Sequence, residues 1–223
     1  MKIILIGASG TLGKAVSSEL ASRHEIVAIS RNSGNIHADI RELNSLRAAF
    51  QKVGKVDAIV CAAGSVHFGP WAELTPEKFE VGLRDKLMGQ VNVVLAGQEF
   101  LSDGGSFTLT SGILSGDPIR YGAAASLVNG ALESFVRAAA IELPRSLRIN
   151  IVSPDGVRRV DGFVRPIFSR IQTRASRRCR ARLQQERRRP ADRADLQSLV
   201  RALHHGACGA KIIFWCRKRL RDC

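Results

Sequence analysis

The first fifteen residues, MKIILIGASGTLGKA, constrain the fold more than any other stretch of the chain. Lys2 to Ile6 is a short apolar run of the kind that forms a buried parallel strand. Gly7, Gly10 and Gly13 follow at three-residue spacing, and Leu12, Val16 and Leu20 then repeat at helical spacing. Strand, glycine turn and helix in that order point to a dinucleotide-binding loop. In that reading Gly7 permits the tight turn, Gly10 lets a pyrophosphate approach the backbone, and Gly13 lets helix and sheet pack closely. The amides of Ser9, Gly10, Thr11 and Leu12 would face the phosphates at the positive end of the helix dipole. The alternative is an ordinary strand-to-helix turn that binds nothing.

The rest of the chain repeats the alternation. Strand patterns fall at 25–30, 35–38, 56–61, 106–110 and 147–152, separated by helical patterns at 42–53, 75–100 and 123–143. Thr75 followed by Pro76 and Glu77 marks a helix start. Strands alternating with helices predict an α/β fold, a doubly wound and mostly parallel sheet (Rossmann fold) with helices on both faces.

The formal charge of +14 needs dividing before it is read. Residues 1–156 hold 15 basic and 15 acidic side chains, so the whole excess lies in 157–223, with 17 Arg and 2 Lys. The expected organisation is therefore a nucleotide-binding domain over 1–156 and an atypical arginine-rich segment over 157–223. That segment has a candidate helix at 195–203 and a candidate strand at 211–216. Its arginines read as a phosphate-binding run, as a solvated segment, or as GC-rich coding sequence translated out of frame, the last being favoured. Nucleic acid is not the expected partner, because no aromatic residues interleave 174–189 to stack bases. No apolar run approaches a membrane span, and a core strand at the N-terminus leaves no room for a signal peptide, so a cytoplasmic location is expected. Five cysteines at irregular spacing, Cys61, Cys179, Cys208, Cys216 and Cys223, argue against a disulfide framework and against a metal site.

Over 1–156 the chain resembles the short-chain dehydrogenase/reductase family. GASGTLG resembles its phosphate loop, with a spacing that differs from the commoner TGxxxGxG. Asp39 and Ile40 resemble its adenine contact, and Cys61-Ala62-Ala63-Gly64 its NNAG turn. Ser111, after SFTLT, stands where the catalytic serine belongs. RINIVSP, ending at Pro154, resembles the strand that borders the nicotinamide. The resemblance implies hydride transfer between a nicotinamide and a small carbonyl or alcohol, a small-molecule substrate, and a homodimer. The dimer is expected through the last long helix, on a face of Ala124, Leu127, Val128, Ala131 and Phe135.

The family's proton-transfer set is mostly missing. Aligned on ALESF, Ala131 to Phe135, its tyrosine position holds Ala125, its lysine position holds Asn129, and its asparagine position holds Lys86. Ser111 alone matches, which describes a divergent member lacking the YxxxK pair. Tyr121 lies four residues early, and an insertion would be needed to bring it to the site with Lys86 as the positive charge. Candidate catalytic residues are thus Ser111, Tyr121 and Lys86. At the end of the second strand an arginine accommodates a 2′-phosphate where a carboxylate would accept from a 2′-hydroxyl. Arg31, followed by Asn32 and Ser33, therefore predicts NADP(H) over NAD(H). The function expected is an NADP(H)-dependent oxidoreductase with a degenerate site, or a protein that binds or senses NADP(H) without turnover.

Overall fold

The computed structural model describes residues 1–155 and the backbone of the strand Gly209–Trp215. Six parallel strands, β1 (Lys2–Ile6), β2 (Glu25–Ser30), β3 (Ile36–His37), β4 (Val56–Cys61), β5 (Leu101–Thr110) and β6 (Arg148–Asp155), are joined at the far edge by β7 (Gly209–Trp215). The order is β3-β2-β1-β4-β5-β6-β7, with β7 antiparallel to β6. The expected strand at 211–216 thus begins two residues earlier and closes the sheet in the opposite direction. The candidate helix at 195–203 lies outside the described residues.

Helix α1 (Thr11–Leu20) packs on one face of the sheet through Val16 and Leu20, against Ile3, Leu5, Ala58 and Val60. On the other face, α2 (Leu43–Val53), α4 (Gly89–Gly97) and α5 (Ala123–Glu142) enclose the larger core around Ile4, Ile6, Phe50, Ile59, Phe107 and Leu132. Residues 3–6 of β1 are buried on both sides, as the unbroken apolar run required. Each such fully buried aliphatic side chain contributes about 1.5–3 kcal/mol of transfer free energy.

Two elements depart from the sequence pattern. The helix expected over 75–100 is three pieces: α3 (Pro76–Gly82), a π-helical turn (Leu83–Met88), and α4. Strand β5 starts at Leu101 rather than after the glycines, and its register against β4 shifts between the pairs Val56–Leu101 and Ala58–Ser106. Gly104, at φ +73°, lies in that irregular stretch. The reversal of strand order falls between β1 and β4, and ligands in such sheets bind outside the carboxyl ends of the strands at this point.

Candidate functional site

The turn after β1 is packed against the turn after β4. Gly7 takes φ +82°, and a Cβ there would lie 2.9 Å from the carbonyl carbon and oxygen of Ala62. Its amide donates to the Ile29 carbonyl at 2.9 Å, while the Ala62 amide donates to Ile6 at 2.9 Å, so both turns continue the sheet's own ladder. A Cβ on Gly13 would fall 2.0 Å from the Gly7 carbonyl oxygen, which explains how closely α1 folds back on its strand. Gly10 differs, since its added Cβ would only touch Gly7 O at 3.4 Å. Gly10 caps α1 with no side-chain acceptor, and the first turn carries no acidic residue. The amides of that first turn have no intrahelical acceptors. The Gly10 amide, expected to face the phosphates, is instead taken by the Gly7 carbonyl at 3.0 Å. The first-turn amides that follow it, with no competing carboxylate, fit a dinucleotide pyrophosphate. Ser9, Gly10 and Thr11 are exposed, and Leu12 is half-buried.

Arg31, Asn32 and Ser33 follow β2 and are exposed. Ser33 is held by Ser30, whose hydroxyl lies 2.8 Å from the Ser33 hydroxyl and also donates to its carbonyl. Arg41, which the sequence reading did not single out, grips Asp39. Its Nε lies 3.0 and 3.1 Å from the two carboxylate oxygens, and its amide donates to Oδ1 at 3.0 Å. The guanidinium hydrogen bonds of Arg41 hold the Asp39 carboxyl below its ordinary range, and the charge of Arg31 adds to this. The Ile40 side chain turns inward and packs where a Cβ on Gly89 would lie 2.6 Å away, leaving mainly backbone on the cofactor side.

Ser111, Lys86 and Asn129 come together at the end of β5. Beyond the last β4–β5 pair, the buried Gln90 side chain takes over the ladder, donating to Thr110 O and accepting from Thr110 N, both at 2.8 Å. Thr110 Oγ1 donates to the Cys61 carbonyl at 2.7 Å. Ser111, 2% exposed, is thereby fixed directly after the strand. Lys86 reaches in from the π-helical turn, and its Nζ donates to the Ser111 carbonyl at 2.9 Å and to Asn129 Oδ1 at 2.8 Å. Its stem fills the space beside Gly64, which has φ +130° and could not carry a Cβ without meeting Lys86 Cα and Cγ at 2.8 Å. Burial pushes the Lys86 ammonium down to about 8 and the neighbouring Cys61 thiol up to about 12. Ala125 and Asn129 are both buried, one helical turn apart on α5.

The Ser111 hydroxyl points to α5, where it donates to Glu133 Oε1 at 2.9 Å beside a second donor, Ser115 Oγ, at 2.5 Å. Sequence reasoning missed Glu133 because nothing local marks it. Tyr121 goes elsewhere. At φ +66° and 38% exposed, it lines an open groove with Gly69, Trp71, Leu74, Leu127 and Ala131, while its carbonyl accepts from Gly69 N at 3.1 Å. Ala63 is half-buried and Pro154 is buried in β6. The expected dimer face on α5 is only partly open. Ala124 and Val128 point into the core, whereas Leu127, at the other edge of the stripe, is 47% exposed.

Among the described residues no helix is long and apolar enough to cross a membrane. A family model described as enoyl-(acyl carrier protein) reductase matches residues 7–189, running past Gly156 into the arginine-rich segment. Curated relatives include elsinochrome reductase 1 of Elsinoe fawcettii, 27% identical over 183 residues, covering 70% of this chain and 68% of that protein. Tetrahydroxynaphthalene reductase of Pyricularia oryzae is 25% identical, over 70% of this chain and 65% of that protein. The chain thus spans about two thirds of the length of both relatives. Among solved structures, the protein lin1944 from Listeria innocua is similar at 50% identity and TM-score 0.71, covering 74% of this chain and 83% of that one. A small-chain dehydrogenase in complex with NADPH matches at 25% identity and TM-score 0.62, over 68% of each chain. With the turn after β1, the strand order and these matches in agreement, the chain belongs to the short-chain dehydrogenase/reductase family.

Proposed function

We propose that this chain is an NADP(H)-dependent oxidoreductase acting on a small carbonyl or its alcohol, through an active site that has lost the family's usual proton donor. The observation that carries this reading is the glycine turn Gly7 to Gly13 with the first-turn amides of α1, two sheet positions (β1 to β5) from the Lys86–Ser111–Asn129 cluster. Bound nicotinamide would supply the hydride. The chain's part is to hold the pyrophosphate on the amides of Ser9, Thr11, Leu12 and Gly13 and to meet a 2′-phosphate with Arg31, Asn32 and Ser33. The turn of half-buried Ala62 and Ala63 and exposed Gly64, the Asp39–Ile40 backbone and Pro154 would border the rest of the cofactor. The similarity to a protein bound to NADPH and to hydroxynaphthalene reductases supports both the cofactor and the reaction class. This reading takes 1–156 as the cofactor domain, places the protein in the cytoplasm and makes it a homodimer.

A charge-assisted hydrogen bond from Arg31 contributes about 1.5–3 kcal/mol, or roughly 10- to 150-fold in affinity. Fluorescence titration should show NADPH binding more tightly than NADH, and Arg31→Ala should weaken NADPH selectively. Equal loss for both cofactors would remove the argument for NADP(H). A second reading, NADP(H) binding without turnover, is favoured by Ala125 at the aromatic position and by Tyr121 in the outer groove. NADPH consumption against a panel of small carbonyls separates the two.

A further inference from the structure

Among the described residues the Lys86 ammonium is a largely buried cation held by neutral acceptors. One N–H goes to the Ser111 carbonyl and one to Asn129 Oδ1, and among the described residues Lys86 enters no ion pair and the third N–H has no acceptor. Among the described residues the groups facing it are these. From the end of β4 comes the Cys61 thiol, kept neutral by burial. From α5 comes the Asn129 amide and, beyond Ser111, the Glu133 carboxylate, which is occupied by two hydroxyls. On its own turn, Asp85 accepts from the Ser65 amide at 2.7 Å. The π-helical turn is what carries Lys86 to this place, and such turns recur at functional sites. Its stem is locked between the Gly64 turn and the end of β5, the two turns that border the ligand crevice.

The other proton carriers nearby are committed elsewhere. Ser111 spends its hydroxyl proton on Glu133, Tyr121 lines the outer groove, and Ala125 has none to give. Resting on the reductase reading above, we propose that Lys86 is the catalytic residue that hands a proton to the substrate oxygen during carbonyl reduction. Bound dihydronicotinamide would supply the hydride to the carbonyl carbon and be left as the oxidised nicotinamide. As the C=O π pair moves to oxygen, Lys86 Nζ gives its proton to that oxygen. An alcohol and a neutral amine result, and the amine regains a proton from water. An ammonium brought to about 8 by burial is matched to this task near neutral pH.

Two readouts test the proposal. In the cofactor-free chain, competitive acetylation followed by peptide mass spectrometry should show the Lys86 amine becoming reactive with a midpoint near pH 8. A midpoint near the ordinary value of about 10.4 would overturn the proposal. With NADPH bound, Lys86→Met, which keeps the stem, should lower the single-turnover rate by roughly 10²- to 10⁴-fold and leave NADPH affinity within about threefold. A variant that binds NADPH and keeps its rate would overturn the proposal while sparing the reductase reading. Failure of the unaltered chain to bind NADPH would instead overturn that reading and the proposal with it. Should Lys86→Met not fold, Asn129→Ala removes an acceptor that favours the charged amine, so the alkaline fall in rate should move to lower pH. An unmoved profile would count against Lys86.

Discussion

Ser111 Oγ donates to Glu133 Oε1 at 2.9 Å, so the hydroxyl at the end of β5 is satisfied by α5 before any ligand arrives. Ser115 Oγ converges on the same oxygen at 2.5 Å. The carboxylate thus sets the rotamer of Ser111 and fastens the short turn Ile113–Ser115 to the helix.

Removing that acceptor leaves the two hydroxyls only longer contacts, Ser111 Oγ to the Asn129 carbonyl at 3.4 Å and Ser115 Oγ to the Gly112 carbonyl at 3.3 Å, the former on a residue that is 2% exposed. Glu133→Ala should cost about 1–3 kcal/mol in denaturant unfolding, with an unchanged m-value. Glu133→Gln keeps an acceptor oxygen and should lose about half as much or less. Equal losses from both variants would mean that the charge, and not the acceptor, holds the pair.

Gly10 and Gly13 separate binding from folding. A Cβ on Gly13 meets the Gly7 carbonyl at 2.0 Å, so Gly13→Ala must open the turn between β1 and α1 and should destabilise the chain by roughly 3 kcal/mol or more. A Cβ on Gly10 reaches Gly7 O only at 3.4 Å, so the fold accommodates Gly10→Ala to within about 1 kcal/mol. NADPH affinity should nevertheless fall, because the methyl would occupy the face from which a pyrophosphate approaches. Retained affinity in Gly10→Ala, measured by fluorescence titration, would place the phosphates elsewhere.

The β1–turn–α1 unit was legible in the sequence because its defining pattern is local, although Gly7 also packs against Ala62 and donates to Ile29. The apolar run, the three glycines and the helical repeat lie within twenty residues. The π-helical turn was not legible, since Leu83–Met88 adds an offset within an apolar pattern that a helical period absorbs without trace. The Lys86–Asn129 contact spans 43 residues and depends on that offset, so alignment could name the two positions but not their partnership. Asp39 was marked by its place after β3, whereas its guanidinium partner Arg41 looked like any charged loop residue. The division of the expected dimer face on α5 was not legible either, because apolar residues continue from the buried Ala124 and Val128 to the groove-lining Leu127 and Ala131 without a break in the pattern.

Those groove-lining residues motivate a prediction about assembly. Leu127 is 47% exposed, Trp71 is 78% exposed, and together with Tyr121 they border one continuous groove. Exposed apolar surface of this kind marks interaction sites. Light scattering at micromolar concentration should give twice the chain mass of 24.3 kDa, and Leu127→Asp should give the single chain mass with unchanged far-UV circular dichroism. A dimer that survives Leu127→Asp would move the interface off this face.

The depressed Lys86 amine also links stability to pH. Its folded value of about 8 lies below the ordinary value of about 10.4, because burial disfavours the ammonium. Between those values the unfolded chain binds more protons than the folded chain, so stability attributable to this group rises with pH through that window. Below pH 8 the burial penalty is fully present, and it is relieved progressively towards pH 10.4. From pH 7 to pH 9 the expected gain is roughly 1 kcal/mol, reduced by whatever solvent reaches the partly exposed side chain. Lys86→Met carries no titrating amine, so the gain should vanish from the difference between the two proteins. Urea unfolding of both at pH 7, 8 and 9 measures this directly, with all other groups common to the pair. Parallel curves, offset by a constant amount at every pH, would show that the Lys86 amine keeps its ordinary basicity in the folded chain.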